Sequence, residues 1–133
     1  MNIDKSFEMS AGQAVTASSA STNVIDLGKG GKFAANPFYL CCRAAEAAAA
    51  SGAATVTVEI QSSDKEDFSS GVTTHFSSGA IGKAGITKDK HLFMVNVGEM
   101  KFGRYVRGYY TVGTGPLTAG KFDLYGSAAV DMK

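Results

Sequence analysis

The residue types most often used for catalysis are few in this chain, and their spacing is poor. Its histidines are His75 and His91, sixteen residues apart, and neither falls in an HxH, HExxH or HxxxH pattern. A metal site needs three or four converging ligands. The pair therefore reads as structural or surface residues, not as the ligand cluster of a metal-dependent cupin. Cys41 and Cys42 are adjacent. Successive side chains of a strand point to opposite faces, so these two make poor partners for each other and poor joint metal ligands. Buried, unreactive thiols fit them better. The run GKGGK at 28–32 is followed by Phe33. It departs from the GxxxxGK[ST] phosphate loop and has no helix N-terminus behind it to hold an anion. No GxSxG elbow is present. Asp64, Glu66 and Asp67 form an acidic turn without the carboxylate layout of a calcium loop. These residues predict no enzyme, no cofactor and no metal.

The more suggestive cluster is Arg104, Tyr105, Arg107, Tyr109 and Tyr110, within the segment RYVRGYYTV at 104–112. Tyrosine and arginine are the types that protein interfaces favour, and they also stack on sugars or bases. On a strand, Val106, Tyr110 and Val112 share one face, and Tyr105, Arg107 and Tyr109 the other. The expected contact residues here are Arg104, Arg107 and Tyr109. Residues 1–20 read as an extended arm, rich in Ser, Ala and Thr, with Ile3, Phe7, Met9 and Val15 as its apolar anchors. Such a segment buries little by itself, and Ile3 and Phe7 are its candidate contacts to a partner.

These residues must be carried by strands. ATVTVEIQ (54–61) alternates strictly, with Val56, Val58 and Ile60 to one side and Thr55, Thr57 and Glu59 to the other. Further strands are expected at 21–28, 38–46, 72–77, 80–86, 91–98, 104–112 and 121–130, the last with Phe122, Leu124, Ala128 and Val130 in register. The alanine run 44–50 has good helix propensity but is short. It is expected to be a strand end running into a loop or one helical turn. About eight short strands separated by Gly, Ser and Pro turns, with sixteen glycines in 133 residues, predict an all-β domain. The expected form is a jelly-roll-like antiparallel sandwich over 21–133, behind the arm 1–20.

Net charge is +1, which gives nucleic acid no overall attraction. The charge is uneven. Residues 1–70 hold five Lys/Arg against eight Asp/Glu, a net of −3, and residues 80–110 hold six against two, a net of +4. Surfaces of that kind can be self-complementary between copies. The N-terminus carries Asp4 and Glu8 and no apolar stretch of the signal-peptide type. No run approaches the roughly 18 apolar residues of a membrane-spanning helix. No membrane partner is expected.

Three segments in order give the chain a family likeness: AGQAVTASSASTNVIDLG (11–28), ATVTVEIQSSDKEDFSS (54–70) and GRYVRGYYTVGTGPLTAGKF (103–122). With them the chain resembles the Bbp16-like capsid cement, or decoration, proteins of short-tailed phages. The likeness implies a jelly-roll domain on the outer capsid surface. It also implies contacts to a major capsid protein of the HK97-like fold and to a second copy, as a dimer, and no catalytic residues. Cys41-Cys42 and the alanine run depart from that pattern. The function expected is to bind the outside of a phage head and stabilise contacts between capsid subunits. A carbohydrate-binding jelly-roll module or a head/tail accessory protein of the virion are the alternatives.

Overall fold

The computed structural model describes residues 7–28, 31–33, 38–98 and 100–127. Its strands are β1 (Glu8–Ala14), β2 (Ser19–Ala20), β3 (Ile25–Asp26), β4 (Tyr39–Ala49), β5 (Thr55–Ser63), β6 (Thr73–Ser77), β7 (Ile81–Gly82), β8 (His91–Asn96), β9 (Tyr105–Gly113) and β10 (Ala119–Ser127). One sheet runs β1-β10-β4-β8. The other runs β2-β9-β5-β6, with β3 also on β9 and β7 also on β5. The pairings between strands are antiparallel. Because β2/β3 and β6/β7 each fill one interrupted position, each sheet has four positions. Apart from the β5–β6 hairpin, successive positions alternate between the sheets, which is the winding of a jelly roll.

Period-two alternation builds both faces. In β5, Val56, Val58 and Ile60 are buried while Thr55, Thr57, Glu59 and Gln61 are half-exposed. In β9, Val106, Gly108 and Tyr110 point in, between Tyr105, Arg107 and Tyr109 pointing out. The core lies between the sheets, where Tyr110 of β9 meets Phe122 of β10 at 5.3 Å and Phe76 of β6 meets Phe93 of β8 at 4.8 Å. At one end Phe33 stacks on Phe38 at 4.6 Å and meets Phe102 edge-on at 5.5 Å.

The structure corrects the expected arm 1–20 over its described residues, 7–20. Its residues 8–14 are β1, paired to β10, and Met9 and Val15 are core residues. Composition argued against folding alone, but this segment never has to. Ser10 and Gln13 find partners in the rest of the domain, and β10 supplies the ladder. The alanine run is corrected too, because β4 continues to Ala49. Pairing to β10 and bonds from Ala48 to Ile86 O and from Thr118 to Ala49 O override its helical propensity. The expected strand 21–28 is reduced to Ile25–Asp26, preceded by Ser19–Ala20. Between them the Asn23 N–H donates to Met9 O of β1, which belongs to the other sheet. The expected strand 80–86 is Ile81–Gly82 and a 3-10 turn, Lys83–Gly85. Phe122 and Leu124 face the core as expected, while Ala128 and Val130 lie outside the described residues.

Gly108 marks where the sheets interlock. A Cβ there would collide with Leu124 Cδ2. Leu124 is fully buried and cannot swing into solvent. Leu124→Ala should cost about 2–5 kcal/mol in urea unfolding, and Gly108→Ala about 1–3 kcal/mol from overpacking. The double variant should be more stable than the sum of the two by at least about 1 kcal/mol. Strict additivity would show that the two positions do not share this space.

Candidate functional site

The Tyr/Arg cluster occupies the outer face of the β9 sheet. Register sets Ser63, Gln61 and Glu59 of β5 opposite Tyr105, Arg107 and Tyr109. Arg107 Nε donates to Gln61 Oε1 at 3.0 Å. Its guanidinium lies 4.2 Å from the Phe68 ring centre and 5.3 Å from that of Tyr109. Cations held over aromatic faces in this way are attracted by the ring quadrupole. The Asp64–Ser70 loop puts Phe68 there by folding back. Ser63 Oγ donates to Ser70 O at 2.7 Å, the Asp67 carboxylate accepts the Ser69 N–H at 3.0 Å, and Phe68 takes the left-handed φ of 53°. Asp67 is held below its ordinary range chiefly by its bonds with Ser69.

Arg104 lies just before the strand. It grips Asp26 of β3 with two bonds, Nε to Oδ1 at 3.0 Å and the terminal nitrogen to Oδ2 at 3.1 Å. That fork, helped by the Gly28 N–H, keeps the Asp26 carboxyl below the usual carboxylate range, and the same fork raises Arg104. The pair stands between two open clefts. One, of about 460 Å³, is lined by Asp64, Lys101, Phe102, Gly103 and Arg104. The other, of about 420 Å³, includes exposed Val24 with Asp26, Glu66 and Tyr105.

Of the expected contact residues, Arg107 and Tyr109 thus share one outer face and Arg104 borders it. Phe7 lies elsewhere, packed edge-on to Phe38 at 5.0 Å and to Phe33 at 6.0 Å. Ile3 lies outside the described residues. Sequence reading missed Gln61, Asp26 and Phe68 as the groups that fix the arginines. A single apolar residue in the polar loop 62–70 was the available signal for Phe68. What the face offers chemically is recognition: aromatic and guanidinium groups already locked by neighbours, so that little rotamer freedom is lost when a partner arrives.

The remaining reactive types are dispersed. His91 is exposed at the start of β8. His75 Nε2 lies 2.6 Å from Ser62 Oγ, and its ring sits 4.5 Å from that of Phe102. Ser62 also accepts the Gly103 N–H at 2.9 Å and is buried. Cys42 faces the core and Cys41 the opposite side of β4, and both are fully covered. Burial pushes the Cys41 thiol up to about 11, against a lowering bond with Tyr125, and pushes Cys42 up further. Among the described residues no three His, Cys, Asp or Glu side chains group as a metal ion would require. No helix among them is long and apolar enough to cross a membrane.

The sequence model of one protein family, Bbp16, matches residues 9–125. No curated protein matches the chain.

Desolvation holds His75 below its ordinary value of 6.5. As pH falls through about that value, the unfolded chain binds the proton first, so stability is complete above it and declines below it. The urea midpoint should therefore drop between pH 7.5 and 5, and less so in His75→Gln. Equal drops in both proteins would show that His75 is not the group responsible.

Proposed function

We propose a function for this chain from one premise: it belongs to the Bbp16 family. On our reading it is a capsid cement protein, which binds the outer surface of a phage head and stabilises contacts between major capsid protein subunits of the HK97-like fold. The observation that carries the reading furthest is the β9 outer face. There Arg107 is braced by Gln61 and Phe68 and lies over the Tyr109 ring, with Arg104 locked to Asp26 beside them. Hot spots of protein interfaces are built from Tyr and Arg anchors of this kind.

The mechanism needs no bond chemistry. A chain that touches several subunits holds each at high effective concentration, so losing one contact leaves the others in place. If it binds only the assembled lattice, it stabilises that lattice by mass action. A jelly roll suits the task because its core closes on itself while its faces and loops stay free to reach neighbours. Neighbouring copies are partners on this reading, as a dimer. The opposed charges of residues 1–70 and 80–110, −3 and +4, favour such pairing. Neither nucleic acid nor membrane has a place in it.

Occupancy of particles by variants tests this. Arg107→Glu and Tyr109→Ala should each lower affinity for the particle at least about tenfold, the effect of losing roughly 1.4 kcal/mol. Circular dichroism should stay that of a β-sandwich, since both side chains point away from the core. Arg104→Ala should act in the same direction. Unchanged occupancy in all three would remove this face from the interface.

A further inference from the structure

The residues that lead into β9 bring Arg104 to the border of the contact face, and they are seated on β5 and the turn after it. Ser62 Oγ accepts the Gly103 N–H at 2.9 Å, and Asp64 Oδ1 accepts the Arg104 N–H at 3.2 Å. Gly103 lies so close on the Ser63 backbone that a Cβ would have no room. From this seat the Arg104 side chain reaches Asp26 with the two bonds of its fork.

Ser62 is in turn held by His75. The register of β6 on β5 shifts between the pairs Ile60–Phe76 and Gln61–Thr74, so His75 is an extra residue in its strand. Bulges of this kind re-aim a side chain. Here the imidazole meets Ser62 Oγ, with Nε2 at 2.6 Å, and the Phe102 ring, at 4.5 Å between centres. Ser62 is buried, and its oxygen already accepts the Gly103 N–H. Among the described residues Nε2 is the acceptor its hydrogen has. A buried hydroxyl keeps its partners, so Nε2 is the unprotonated nitrogen of a neutral ring. The relay runs one way, from Gly103 N–H to Ser62 and from Ser62 O–H to His75.

A proton on Nε2 reverses the last link. Ser62 Oγ then faces two donors, and its own hydrogen points either where no acceptor stands or into the Gly103 N–H. Both outcomes penalise the closed seat, and opening it to water relieves both. No charge on the surrounding elements offsets this. Glu59 of β5 lies on the opposite face of its strand from Ser62, Lys101 beside Phe102 is exposed, Asp64 is turned to the Arg104 N–H, and Arg104 itself is turned to Asp26. Desolvation holds His75 below 6.5, so the seat is complete above that value and is lost as pH falls below it. Asp26, held below its ordinary range, stays charged through that window.

We infer that His75 is a positioning residue for the contact face: acting through Ser62 and Gly103, its neutral ring keeps Arg104 seated, and its protonation unseats Arg104. The consequence for binding, a weaker hold on the particle in acid, rests on the cement reading.

Hydrogen exchange on the free chain and binding to particles, each at pH 7.5 and 5, test it in wild type, His75→Gln and His91→Gln. A glutamine in place of His75 offers Ser62 a neutral acceptor at both values. In wild type the Gly103 amide should lose at least about tenfold of its protection at pH 5. Particle affinity should fall at least about fivefold further in wild type than in His75→Gln. Titration of the shell itself is common to all the chains and cancels. His91→Gln should follow wild type, because His91 is exposed at the start of β8. Ser62→Ala, which cuts the same relay, should lose Gly103 protection already at pH 7.5 and flatten the pH profile. Gly103 protection in wild type that does not change with pH overturns the inference and leaves the cement reading standing. So does an affinity profile that is the same in wild type and His75→Gln. If no chain binds particles at either pH, the cement reading falls. The inference then stands only if Gly103 N–H and Arg104 Nε–H of the free wild-type chain both loosen in acid, and an unmoved Arg104 overturns it.

Discussion

Tyr110 stands in the middle of β9 with its ring fully buried, and a hydroxyl taken that far from water must keep a partner. Burial pushes its ionisation well above the ordinary tyrosine range, so it remains a donor. It donates to Ser10 Oγ at 2.8 Å, across the core on β1. Ser10 donates onward to Gln13 Oε1 at 2.6 Å. That oxygen also accepts the Thr22 N–H, and Gln13 Nε2 reaches Ala20 O. One buried phenol thus ties the first strand of one sheet to a central strand of the other and pins the crossing between them. A half-satisfied network would be worse than an apolar core. This one is complete, with no buried side-chain nitrogen or oxygen among the described residues left without a partner.

The same constraint explains what could be read from sequence. Strands whose pattern is set by burial alone were legible: the alternation of β5 and β9 named their inward and outward faces correctly. Segments whose structure depends on distant partners were not. Ser10 and Gln13 look like arm residues until Tyr110 and Ala20 are placed beside them, roughly 100 and 7 positions away. The alanines of β4 prefer a helix locally and become strand because β10 lies alongside them.

The candidate site divides the same way. That Tyr105, Arg107 and Tyr109 face outward follows from period two. That Arg107 is braced by Phe68 and Gln61, and Arg104 by Asp26, requires the β5–β6 loop to fold back and β3 to reach β9. Neither event is local in sequence. A rigid, pre-braced arginine differs from a solvated one in what it loses on binding, and only the folded arrangement shows which kind these are.

The interior of the domain leaves no buried side-chain nitrogen or oxygen among the described residues without a partner, while Tyr105, Arg107 and Tyr109 face outward. On the cement reading proposed above, the partners of that outward face form a viral shell. Quantifying the chain against the major capsid protein in purified particles by gel densitometry or mass spectrometry tests that claim most directly. A copy number comparable to that of the shell subunit is expected. Absence from intact particles would contradict it, as would presence in only a few copies, as for a head-completion or tail component.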